Sequence, residues 1–293
     1  MKYLFILLVL NFGVSLAGLL DMFTPVNSIL AKKKEFLFVA FVYDKKTKKS
    51  CGGALIDNGR VITAKSCLMD YNVHNLKVCV GGTKSNQGKC SKVLRGETPK
   101  IYNNKKSHSL NNFQIFELQE EIKNATKIEI FSGQIKHTMK FSFVFWENPL
   151  LNIFHNSKTL RYSRYRIYAN VACRDKNRNF KGLGVGTILC TKHIVESYST
   201  CYKDSGGALV YKDGEKYKLI GLLSSVDWEN PKDVGKCGQE SQITYFTHLE
   251  KHRKDIFKDN ELDEQNEKES SAAGPSTRPE IRPINPDFLH GLG

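Results

Sequence analysis

Apolar residues in this chain fall into short runs separated by turn-forming residues. From Phe36 to Leu249 the runs alternate or are briefly continuous. Examples are Phe36–Val42, Arg60–Thr63, Phe113–Phe116, Phe141–Trp146, Ala208–Tyr211 and Lys218–Leu223. Many short strands at such spacing predict an all-β sandwich or barrel. Near the end the period changes. Phe246, Leu249, His252, Arg253 and Ile256 lie three to four apart, which predicts one face of a short helix. After Asp259 the pattern stops. The last segment is rich in Glu, Asn, Ser and Pro and holds four of the eight prolines, so 259–293 reads as a disordered acidic, Pro-rich tail.

The start of the chain follows a different rule. Lys2 precedes an almost wholly apolar stretch from Tyr3 to Leu10, and Ser15-Leu16-Ala17 supplies small residues at the positions a signal peptidase reads. Residues 1–17 therefore read as a secretory signal peptide, too short for a membrane span. Export makes the eight cysteines candidates for disulfides rather than metal or redox sites. Spacing alone leaves 105 pairings open. Neither CxxC nor HExxH occurs, and nothing in the sequence calls for a metal or cofactor. Asn124-Ala125-Thr126 is a glycosylation sequon. Charge is uneven. The formal net charge is +14, the tail from Asp259 carries −5, and residues 1–258 therefore carry +19. A body this basic attracts polyanions such as sulfated glycans, with Lys32–Lys34, Lys45-Lys46, Lys48-Lys49 and Lys105-Lys106 as the visible clusters.

Two segments carry a specific resemblance. Cys51-Gly52-Gly53-Ala54-Leu55-Ile56 precedes Val61-Ile62-Thr63-Ala64-Lys65-Ser66-Cys67, and Cys201-Tyr202-Lys203-Asp204-Ser205-Gly206-Gly207 occurs later. These resemble the CGGSLI, TAAHC and CxGDSGG motifs of the trypsin-like serine proteases. Asn112–Leu118 is similar to that family's DIALLKL strand, and Ile243–Thr247 to the strand before its C-terminal helix. The resemblance spans roughly 25–258. It implies two six-stranded antiparallel β-barrels with a cleft between them, a degenerate activation region over 18–34 and a peptidase-like domain over 35–258. It also implies the bridges Cys51–Cys67, Cys173–Cys190 and Cys201–Cys237. Cys79 and Cys90 are left over, close in sequence, and expected to pair across a local loop.

The same resemblance exposes departures. Acyl transfer on this fold needs a nucleophile, a histidine base, an orienting carboxylate and backbone donors for the oxyanion. The nucleophile position is Ser205. The base position is Ser66, where the family has His, and the carboxylate position is Asn112, where it has Asp. Lys203 replaces the family's glycine two residues before the nucleophile, and Ser199 occupies the primary specificity position. Asp204 is retained, yet no Ile-Val-Gly-Gly start precedes the body to supply its ammonium partner. His74, His108, His193 and Lys203 are the candidates for a substitute base.

Three functions remain open on this reading. The first is a secreted pseudoprotease that binds active proteases, their substrates or their inhibitors in extracellular cascades. The second is a polyanion- or microbe-binding protein, a reading that resembles azurocidin, a triad-less member of the family. The third is a hydrolase with a non-standard base.

Overall fold

The computed structural model describes residues 28–85, 87–98, 111–147, 158–194, 204–235 and 238–257. The signal peptide and tail read from the sequence lie outside them. The chain first appears in β1 (Ile29–Leu30). It then builds a closed barrel in the order β2 (Val39–Asp44), β3 (Ser50–Leu55), β4 (Arg60–Thr63), β7 (Gln114–Leu118), β6 (Lys89–Glu97) and β5 (Leu76–Val80). After the two-residue β8 (Glu129–Ile130), a second barrel is formed by β9 (Lys140–Glu147), β10 (Thr159–Ile167), β11 (Ile188–His193), β12 (Ala208–Asp213), β13 (Lys216–Trp228) and β14 (Gln242–His248). The β9–β10 pairing closes it. This is the trypsin-like architecture of two six-stranded antiparallel barrels that the motifs implied.

Period-2 alternation places the cores. In β9, Phe141, Phe143 and Phe145 point inward against Tyr165 of β10, Leu189 of β11 and Phe246 of β14. The first barrel is filled mostly by aliphatic residues, among them Val42, Leu55, Leu76 and Val78, packed around Phe116. A third cluster lies outside the second barrel, where α1 (Asn170–Lys176) covers Ile188, Cys190, Ile243 and Tyr245. Helix α1 was not anticipated from the hydrophobic pattern. It is one of the two short α-helices, with α2 (Arg253–Ile256), among the described residues.

Two boundaries differ from the sequence reading. The run beginning at Phe36 becomes a strand only at Val39, because Lys34 and Phe36 adopt positive φ (69° and 30°) and Val39 N donates to Phe36 O in a turn. At the other end, Leu249, His252 and Ile256 are buried on one helical face as expected. Phe246 belongs instead to β14, where its ring enters the barrel core. Arg253 stays largely at the surface and donates to Ile130 O at 3.2 Å. Spacing of three to four continues across a strand–helix junction by coincidence, so it could not locate the change.

Three disulfides are present among the described residues: Cys51–Cys67, Cys79–Cys90 and Cys173–Cys190. Cys79 and Cys90 are directly opposite in the β5–β6 ladder. Cys201 and Cys237 lie outside the described residues. No described helix is long and apolar enough to cross a membrane.

Candidate functional site

The site is built where the two barrels meet. After β4 the chain enters a 3-10 turn, Lys65–Leu68, tied back to β3 by the Cys51–Cys67 bridge. This holds Ser66 at the surface at the end of the first barrel. Asn112, just before β7, is only 2% exposed. Its amide grips Ser66 twice. Ser66 N donates to Asn112 Oδ1 at 2.8 Å, and Asn112 Nδ2 donates to Ser66 Oγ at 2.8 Å. The same Nδ2 approaches the carbonyl of Ser224 at 3.4 Å, at the bulge that interrupts the β13–β14 register. Thr247 Oγ1 of β14 donates to the backbone carbonyl of Asn112 at 3.5 Å. A buried primary amide satisfies donors and acceptors together, which a carboxylate cannot do.

Ser205 is in the turn leading into β12. Its carbonyl accepts from Gly52 N of β3 at 3.1 Å, Gly207 N donates to Asp204 O at 3.0 Å, and Leu223 N donates to Gly207 O at 3.1 Å. Space here is very tight. Gly206 has φ +81°, and a Cβ on it would stand 2.3 Å from Gly52 O and 2.7 Å from Thr63 Oγ1. A Cβ on Gly207 would stand 2.6 Å from Phe143 Cζ. Thr63 Oγ1 in turn donates to Gly52 O at 2.6 Å. The glycines of both signature motifs therefore let two backbones from different barrels touch. Among the described residues, no hydrogen bond reaches Oγ of Ser205. Asp204 and Ser205 are half-buried. Lys203, Ser199 and His108 lie outside the described residues.

A profile of the trypsin family, described as "Trypsin", matches residues 26–253. The chain belongs to the trypsin family. Two relatives fit this placement. It is 25% identical to a trypsin of Sarcophaga bullata over 184 residues, 59% of this chain and 67% of that one. It is 27% identical to transmembrane protease serine 11A of Homo sapiens over 209 residues, 67% of this chain and 47% of that one.

Within the family frame, the described imidazoles can be placed one by one. His74 is exposed in the short turn before β5. His193 is buried at the end of β11, opposite Tyr165 in register and 6.5 Å from its ring. Burial, then Lys192, pushes its pKa below the usual value. Two buried histidines went unnoticed as titratable groups in the sequence. His252 packs on the ring of Phe113, the neighbour of Asn112, at 5.0 Å, and His248 ends β14. Burial lowers both pKa values to about 4. For His252 the sequence signal was the helical spacing, which marked it as a core position; His248 had none. Asn124 is exposed between β7 and β8 with φ 58°, a conformation asparagine tolerates better than most residues. No cluster of three or more potential metal ligands occurs among the described residues.

Proposed function

We propose that this trypsin-family chain acts by binding, not by peptide hydrolysis, and that its partners are active proteases, their substrates or their inhibitors outside the cell. The observation that carries this reading is the closed Ser66–Asn112 pair. Where the family's mechanism needs an imidazole to take a proton, Ser66 offers a hydroxyl that accepts the amide of Asn112. A hydroxyl is no base near neutral pH. Loss of the histidine alone slows a serine protease by about a million-fold, or about 8 kcal/mol of transition-state stabilisation. The tight glycine contacts around Ser205 support a structural reason for keeping that turn. The disulfides suit an oxidising, extracellular setting.

The test compares the secreted protein with its Ser205→Ala variant on a mixed peptide library and with an organophosphonate that labels activated serines. Equal background turnover and no labelling are expected. Cleavage or labelling that depends on Ser205 would instead establish a hydrolase with a non-standard base.

A further inference from the structure

The outer wall of the second barrel carries a row of like charges that its register makes explicit. Arg166 of β10 stands directly opposite Lys140 of β9 on one side and Lys192 of β11 on the other. Two residues back on β10, Arg164 stands opposite Ser142. Inward-pointing Tyr165, Ile167, Phe141 and Phe143 alternate with these positions, so the four basic side chains share the outer face. Neighbouring strands are about 4.8 Å apart, and residues two apart on one strand are separated by about 6.6 Å. Four cations thus occupy a grid about 10 Å by 7 Å.

Like charges directly opposite in a sheet destabilise it, and native sheets commonly offset them with acids. Here the offset is partial. Lys192 is bound to Glu229 at 2.8 Å and lies over the ring of Tyr168. Lys140, Arg164 and Arg166 are exposed, and the side chain of none of the three makes an ion pair or hydrogen bond with another described residue. The fold therefore bears a repulsion that its own packing does not require.

We propose that this face is a binding site for a linear sulfated glycan, laid across β9 and β10 on Lys140, Arg164 and Arg166, with the Glu229-paired Lys192 of β11 at its edge. Guanidinium forks bind sulfate and carboxylate oxygens bidentately, and ammonium groups add point charges. The basic row is on strands, and the neighbouring helix α1 is packed against the barrel through Cys173, so neither is a free helix that could enter a nucleic-acid groove. The disulfides place the fold where sulfated glycans are the abundant polyanions. The site is independent of whether Ser205 is active.

The test uses the full secreted chain and heparin. The triple variant Lys140→Ser, Arg164→Ser, Arg166→Ser is compared with Lys45→Ser, Lys46→Ser, Lys48→Ser, which removes the same charge from the first barrel. The barrel-wall variant is expected to lose at least about tenfold in affinity, and its log K against log salt to flatten by about three. The control should change less than about threefold. The melting temperature of the barrel-wall variant should equal or exceed the natural one, since opposed charges are relieved. If it fails to fold, Arg166→Ser alone should flatten the slope by about one. Equal losses in both variants, or no loss, would overturn the site. Duplex DNA binding as tightly as heparin through the same residues would overturn the glycan assignment.

Discussion

Asn112 holds Ser66 by both its backbone and its side chain, accepting from N–H and donating to Oγ at 2.8 Å each. The pair is self-satisfied and neutral, and it also reaches Ser224 of the second barrel. A carboxylate in its place would present oxygen to the Ser224 carbonyl and bury a charge at a position 2% exposed.

Asn112→Asp is therefore expected to destabilise the fold by about 1–3 kcal/mol without conferring peptidase activity. Chemical denaturation and a peptidase assay on the same sample check both. An unchanged midpoint would mean that the amide contributes little.

Gly206→Ala combines a left-handed backbone with a Cβ 2.3 Å from Gly52 O. The expected cost is at least about 3 kcal/mol, far above Gly214→Ala, whose Cβ meets nothing within 4 Å. Similar midpoints for the two variants would refute the tight contact between barrels.

Acid should destabilise this protein well above the carboxylate range. His248 and His252 are held neutral in the folded state, chiefly by burial, with pKa values of about 4. Unfolded, each titrates near 6.5, so the unfolded chain binds more protons below that pH. Their contribution is complete above about pH 6.5 and is lost as pH falls towards about 4. Melting temperature against pH should fall across that window, and less so for His252→Gln. A flat profile between pH 7 and 4.5 would contradict the burial of these rings.

Asn124 is exposed and outside the strands, where a glycosyltransferase could reach its side chain. Protein from a secretory host is expected to lose mass on enzymatic deglycosylation, and Asn124→Gln to abolish that loss. Intact mass spectrometry reads the result directly.

The barrels were legible because their glycines and cysteines occur in motif order, and because strands such as Arg60–Thr63 keep clean apolar runs. The Cys79–Cys90 bridge followed from two cysteines left unassigned. The basic row on the barrel wall was not legible. Lys140, Arg166 and Lys192 are far apart in sequence, and only strand register brings them together. Runs such as Lys45-Lys46 and Lys48-Lys49 drew attention instead, although they occupy a turn between β2 and β3. His248 and His252 were hidden for another reason. A core histidine has the same spacing as a leucine, and its suppressed titration depends on what covers it.

Gly52 donates to Ser205 on one barrel while its carbonyl accepts from Thr63 on the other. One residue is thus shared property, and neither barrel can open there without releasing a polar group belonging to both. Damage on either side should propagate across the shared backbone, so the two halves melt as one cooperative unit. Those glycines are therefore required by the fold itself, whether or not the chain turns over a substrate.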